Sequence, residues 1–138
     1  MKISRILSVL ALSLLVAALA TGCGGNPKTF QVGGTVTYRG KPVEGASVVF
    51  FPTGARPAAG KTDAQGRFTL LSYKPGDGAV LGEHVVCITK TIPDPKADPK
   101  LLKSIFVLPE CYNTPLKSPL RAKIAADGPN EFKFELTD

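Results

Sequence analysis

The stretch Phe30–Tyr38, FQVGGTVTY, is the part of the sequence that decides the fold. Its apolar side chains alternate with smaller or polar residues, so that Phe30, Val32, Val36 and Tyr38 share one face of an extended chain. A period of two is typical of a strand that is buried on one side only. The segment therefore predicts a half-buried β-strand at the start of the folded part.

The same alternation returns several times further along the chain. The segments that show it, or that are apolar on both faces, are Ala46–Phe51, Arg67–Leu70, Glu83–Thr91, Leu120–Ile124 and Glu131–Leu136. They are separated by turn-forming residues, since 14 glycines and 12 prolines occur among the 138 residues. About seven short strands with almost no helix match the scale of two facing sheets. The prediction is an all-β fold, an antiparallel β-sandwich, with a small barrel as the alternative closure.

The sequence predicts a particular local structure for two of the connecting segments. In Thr62–Phe68, TDAQGRF, an aspartate and a glycine are placed to close a turn, which predicts a hairpin. In Ile92–Ser104, three prolines preclude a central strand. There Asp98 and the proline after it are expected to begin a single helical turn that carries Leu101 and Leu102.

The N-terminus has the pattern of a secretory signal. Lys2 and Arg5 precede an apolar run, Ile6–Ala20, that ends in small residues. The run is shorter than the roughly 20 residues of a membrane-spanning helix. Residues 1–22 are therefore predicted to form a signal-peptide helix, with a permanent membrane anchor or a buried helix as the alternatives.

The sequence Ala20-Thr21-Gly22-Cys23 resembles the bacterial lipobox. That resemblance implies cleavage before Cys23 and transfer of a diacylglycerol to its sulfur, followed by acylation with a fatty acid such as palmitate. Residues 23–29 would then be a lipidated tether and residues 30–138 the folded domain. Because Gly24 rather than an aspartate follows the cysteine, similarity to enterobacterial sorting points to the outer membrane, facing the periplasm. The alternative is ordinary cleavage that leaves a soluble exported protein.

The charge distribution argues against a nucleic-acid partner. The formal charge of +6 comes from 17 basic and 11 acidic residues, and the basic residues are scattered. A nucleic-acid surface would show a basic cluster interleaved with aromatic residues, and none is present in the sequence. The expected partners are the membrane, through the lipid, and an envelope protein or glycan.

Four short motifs carry a resemblance to a known family. They are Gly34–Val36 (GTV), Gly40–Ala46 (GKPVEGA), Thr62–Phe68 (TDAQGRF) and Gly82–Val86 (GEHVV). Together they resemble carboxypeptidase regulatory-like domains, which have a transthyretin-like (prealbumin-like) β-sandwich. The likeness extends over Val32–Leu136, and its last part is similar to a group of small bacterial lipoproteins. The family implies no catalysis, since the domain is an appendage of its parent enzymes.

The side chains available for chemistry are few. His84 is the single histidine, whereas a catalytic zinc needs about three protein ligands. No catalytic residue, metal site or cofactor is therefore predicted, and a small hydrolase using His84 is the third interpretation. The loop acids lack the spacing of a calcium loop, and Asp63 and Asp127 are interpreted as turn caps.

Two cysteines and two tyrosines remain as candidate sites. An exported compartment permits a disulfide between Cys87 and Cys111, which would stabilise the fold by about 3.5 kcal/mol; the alternative is two free thiols. Tyr73 and Tyr112 are candidate ligand contacts, because aromatic ring faces stack on sugars.

These residues lead to one function with two alternatives. The leading hypothesis is a membrane-anchored, non-catalytic lipoprotein of the cell envelope with a structural or protein-interaction role. The first alternative is a carbohydrate- or peptide-binding module that uses Tyr73 and Tyr112.

Overall fold

The computed structural model describes residues 24–138, so the predicted signal peptide 1–22 and Cys23 lie outside the described residues. The described part contains one short 3₁₀ helix, Glu110–Tyr112, and no helix long and apolar enough to span a membrane. Its strands are β1 (Thr29–Phe30), β2 (Gly33–Tyr38), β3 (Lys41–Pro42), β4 (Ser47–Pro52), β5 (Ala58–Lys61), β6 (Arg67–Thr69), β7 (Ala79–Val80), β8 (Gly82–Thr89), β9 (Thr91–Pro93), β10 (Ser104–Phe106), β11 (Arg121–Ile124) and β12 (Glu131–Leu136).

Two larger sheets contain most of these strands. The first has the order β11-β8-β4-β5 and is antiparallel throughout. In the second, β12 lies on one side of β2, while β6 and β3 share its other side. Two ribbons, β1–β7 and β9–β10, stand apart from them. The predicted all-β sandwich is confirmed.

Phe50 joins the two sheets at the centre of the core. It is fully buried on β4, and its ring centroid lies 5.7 Å from that of Phe132 and 6.0 Å from that of Phe134, both on β12. Phe68 on β6 is 6.2 Å away. Apolar residues from both sheets, including Val36 on β2, complete the cluster. The alternating residues predicted to face inwards therefore meet between the sheets, as burial of apolar area requires.

One strand pair departs from the predicted antiparallel arrangement. Strand β12 runs parallel to β2, with Glu131 beside Gly33 and Leu136 beside Tyr38. The preceding strand, β11, belongs to the other sheet, so β12 is reached by a crossover rather than by a tight hairpin. A crossover leaves the direction of the next strand open, whereas a two-residue turn imposes an antiparallel pair.

The predicted hairpin at Thr62–Phe68 is formed only in part: its turn is present, and its two arms meet in one antiparallel bridge, where Ala59 and Leu71 exchange two backbone hydrogen bonds of 2.9 Å. The carboxylate of Asp63 accepts the N–H groups of Gln65 at 2.9 Å and Arg67 at 2.8 Å. Beyond the turn the chain changes sheet, because β5 pairs with β4 and β6 pairs with β2. Alternation in the sequence shows which residues share a face but not which strand lies alongside.

The segment with three prolines forms an exposed hairpin instead of the predicted helical turn. Strands β9 and β10 pair only with each other, with Ile92 opposite Ile105. Asp98 does begin a turn, since its carboxylate accepts the N–H of Lys100 at 2.9 Å, but no helix follows. Prolines are tolerated here because the ribbon has free edges outside both sheets. We call residues 90–107 the hairpin arm.

Candidate functional site

His84 is part of the core and lies beside no catalytic partner. It is 1% exposed on β8, and its ring centroid is 5.8 Å from that of Phe50. The Nε2 atom is 2.8 Å from the carbonyl oxygen of Val80, while Nδ1 has no hydrogen-bond partner among residues 24–138. A substrate at the surface cannot touch this imidazole without opening the sandwich. The hydrolase interpretation therefore receives no support from its geometry.

Four of the five loop acids, Asp63, Asp77, Asp94 and Asp98, accept backbone N–H groups of their own turns. Within residues 24–138 no group of three or more His, Cys, Asp or Glu side chains is arranged to hold a metal ion. The turn-cap interpretation is confirmed for Asp63, as described above. Asp127 makes no such bond in the described chain; instead the Asn130 side chain closes that loop through both backbone groups of Ala125, each at 2.9 Å.

Asp77 holds the loop that follows β6. Its carboxylate accepts the N–H groups of Ser72, Tyr73 and Lys74 at 2.7, 3.0 and 3.2 Å. Desolvation raises the pKa of Asp77, but the three N–H groups and the charge of Lys74 together lower it by more, so that it lies below its usual value. The carboxylate is thus a fixed part of the loop at neutral pH.

Within residues 24–138 both thiols are free, so the alternative of two free thiols holds there and the possible disulfide between Cys87 and Cys111 is not formed. Cys87 is buried on β8, whereas Cys111 is exposed on the 3₁₀ helix, so the two side chains lie in different environments. Burial raises the pKa of the Cys87 thiol, which leaves little of the reactive thiolate at neutral pH. The bridge was proposed from compartment and loop length, and neither of these determines the distance between two cysteines.

The two candidate tyrosines do not form a sugar-binding platform. Tyr112 is 6% exposed, and its hydroxyl donates to the carbonyl oxygen of Thr137 at 3.1 Å, so its assignment as a ligand contact is wrong. The 3₁₀ helix, which the sequence left as irregular chain, turns this ring into the core. Tyr73 remains half-buried, with the Arg56 guanidinium 5.5 Å from its ring centroid. The glycan alternative therefore retains one aromatic residue.

A polar cluster at the end of β2 was missed by the sequence analysis. Arg39 and Gly40 join β2 to β3 with φ values of 50° and 77°, a tight turn in which Arg39 has an unusual backbone. The Tyr38 hydroxyl and the Arg39 guanidinium both donate to the carboxylate of Asp138, the latter through Nε at 2.8 Å. The residues are 99 or more positions apart in sequence, so no local pattern could have indicated the contact.

The cluster shifts the titration of its members. The hydrogen bond from the Tyr38 hydroxyl, and then the hydrogen bond from Arg39, lower the pKa of Asp138, while the bond between Tyr38 and Asp138 raises the pKa of Tyr38. A lowered acid pKa stabilises the fold above its ordinary value near pH 4 and ceases to do so as the pH falls. A raised tyrosine pKa stabilises below about pH 10, and its contribution is lost at higher pH.

We expect D138N to reduce stability most near neutral pH. The difference between its urea midpoint and that of the wild type should shrink both below about pH 3 and above about pH 11. At low pH the wild type loses the Asp138 carboxylate, and at high pH it loses the hydrogen bond from the Tyr38 hydroxyl. As a control, Y38F keeps the pair of Arg39 and Asp138 and should remove the alkaline change alone. A difference that is constant across this pH range would contradict the assignment.

An open groove of about 290 Å³ lies beside this cluster. Lys41 and Lys90 lie on its rim, and Val43 and Leu108 form its buried floor. Within the described residues, neither lysine has a carboxylate within ion-pair distance. A groove with cationic groups above an apolar floor can bind a ligand in which an acidic group lies next to an apolar one.

By its fold the described chain is an all-β sandwich, and comparisons with known proteins add little to that class. No protein-family model matches the chain, and no curated protein matches it. Among solved structures it is similar to a 9R-lipoxygenase from Cyanothece PCC8801, with 16% identity over 80% of this chain and a TM-score of 0.37. The chain spans 16% of the length of that lipoxygenase. A likeness this weak carries no argument about function.

Proposed function

We propose that this protein is a non-catalytic lipoprotein of the bacterial cell envelope, anchored through acylated Cys23 and facing the periplasm from the outer membrane. The observation that carries the proposal is the succession of a basic start, an apolar run and Ala20–Cys23. Its β-sandwich, which resembles the carboxypeptidase regulatory-like domains, would hold an interaction surface for an envelope protein or glycan close to the bilayer.

The start of the fold supports a position near the membrane. Strand β1 begins at Thr29, and residues 24–28 before it belong to no strand or helix. A tether from Cys23 to Thr29 spans about 20 Å at full extension. The anchored domain therefore stays beside the surface that holds its lipid.

The state of the reactive side chains supports a role without catalysis. The imidazole of His84 is enclosed between the sheets, and burial raises the pKa of the Cys87 thiol. An activated nucleophile requires a base within hydrogen-bond reach, and His84 instead contacts the backbone of Val80 and the ring of Phe50. The open surface offers polar and apolar contacts, such as the groove beside Tyr38.

We expect C23A to lose metabolic labelling with palmitate and to leave the membrane fraction. Each buried methylene of an acyl chain contributes about 0.8 kcal/mol to membrane binding, so the loss of the chains removes most of the affinity. The matched control is C111A, which makes the same change at an exposed cysteine and should keep both label and location. Palmitate labelling that survives in C23A would refute the anchor.

A further inference from the structure

The hairpin arm contains most of the exposed apolar surface of the described chain. Nine large hydrophobic residues are exposed in residues 24–138, and six of them lie within the arm. These six are Ile92, Leu101, Leu102, Ile105, Phe106 and Val107. At its tip the sequence Lys100-Leu101-Leu102-Lys103 places Leu102 in solvent with 99% exposure. A concentration of exposed apolar side chains of this kind marks an interaction site.

Most backbone N–H groups of the tip are paired within the tip itself. Of the eight non-proline residues between Asp94 and Lys103, six donate their N–H within this loop. The Asp94 N–H, for example, donates to the carbonyl oxygen of Lys103 at 2.9 Å, and the Leu101 N–H donates to that of Asp98 at 2.8 Å. The two prolines of this stretch, Pro95 and Pro99, have no N–H to satisfy. The tip can therefore enter a medium of low polarity with few unpaired donors.

The charges of the arm favour an anionic surface. Its four lysines are Lys90, Lys96, Lys100 and Lys103, against two aspartates. Asp94 and Asp98 use their carboxylates to accept the backbone N–H groups of Lys96 and Lys100, both at 2.9 Å. Lysines beside exposed leucines can direct their ammonium groups to lipid phosphates while their methylenes stay near the chains.

The shape of the arm argues against a further strand as its partner. Pro93 in β9 has no N–H to offer to a strand added at that edge. The leucines at the tip stand on a convex projection, so a rigid partner would need a matching pocket, whereas a fluid bilayer closes around the side chains.

We propose that the hairpin arm inserts its tip, at Leu101 and Leu102, into the headgroup boundary of an anionic phospholipid bilayer. This contact goes beyond the acyl anchor and does not depend on it. The tether joins the sandwich at β1, which pairs with β7 just before the first residue of β8. The arm begins at the opposite end of β8, directly after its last residue, Thr89. Eight strand residues, about 26 Å, separate the two ends. Contact at both ends holds the sandwich along the membrane surface.

The absence of tryptophan from the sequence provides a direct test. L102W gives the protein a single fluorophore at the tip of the arm. The full protein, purified from membranes, is reconstituted into vesicles of phosphatidylcholine and phosphatidylglycerol in equal amounts, with or without brominated chains. We expect blue-shifted emission that brominated lipid quenches in these vesicles, and weaker quenching in pure phosphatidylcholine. Adding K100Q and K103Q should lower the ratio of inserted to free arm about fivefold for each lysine.

L116W is the matched control, because Leu116 is also 99% exposed but lies outside the arm. Its emission should remain that of a tryptophan in water. Emission from L102W that is neither shifted nor quenched would overturn the proposal, and so would equal quenching of L116W. Equal quenching of L102W in both vesicle types would overturn the requirement for anionic lipid. Acylation is measured separately by the palmitate label, so the anchor and the arm can fail independently.

Discussion

Replacing Phe50 with alanine is expected to destabilise the fold by about 4 kcal/mol. Phe50 is fully buried, and its ring meets four others, those of Phe68, His84, Phe132 and Phe134. The substitution removes the transfer free energy of the ring and leaves a cavity between sheets that cannot close around it. Because domains of this size are stable by about 5–15 kcal/mol, much of the stability would be lost.

Urea unfolding followed by far-UV circular dichroism measures this loss as a lower midpoint at an unchanged slope. F106A is the matched control, since Phe106 is 59% exposed on the hairpin arm and its truncation should change stability by less than about 0.5 kcal/mol. Equal effects of F50A and F106A would show that Phe50 is not the centre of the core.

G34A is the second substitution with a large expected effect, at roughly 3 kcal/mol or more. A Cβ atom at Gly34 would lie 2.0 Å from the carbonyl oxygen of Phe132 and 2.9 Å from Cζ of Phe68. The carbonyl belongs to β12, so the strand itself would have to move away from β2. The backbone of Gly34 is ordinary, and the cost therefore comes from the close approach of the two strands.

The stability of G34A is compared with that of G128A by urea unfolding. A Cβ atom at Gly128 meets nothing closer than the Cβ of Ala125 at 3.8 Å, an ordinary contact. G128A should therefore be nearly neutral. A wild-type midpoint for G34A would mean that β12 does not lie against β2 as the structure has it.

The strands and their inward faces could be predicted from the local alternation of apolar and polar residues. In β12, Phe134 and Leu136 are buried as the alternation predicts, and in β8 His84, Val86 and Ile88 face the core together. Alternation succeeds because side chains of a strand point to opposite faces in turn, a property of each residue's own backbone. His84 faces inwards for the same reason, since it alternates with its neighbours in the same way as Val86 and Ile88.

The candidate sites could not be predicted from local sequence patterns. Tyr112 was expected to be open to a ligand but is buried, because its ring packs in the core and its hydroxyl bonds to the remote Thr137. Asp138 joins Tyr38 and Arg39 across nearly the whole sequence. Such contacts depend on the relative position of distant strands, which no local window contains.

By itself the sequence determined the all-β class, the faces of the strands and the expectation of an N-terminal lipid signal that ends at Cys23. All three follow from neighbouring residues, through the alternation of the strand backbone or through the contiguous motif. Only the tertiary structure decided that β12 runs parallel to β2, that β5 and β6 separate into different sheets, and that the thiols of Cys87 and Cys111 remain apart. The physical reason is that each of these depends on the distance between residues far apart in the chain, which is set when the two sheets pack around Phe50.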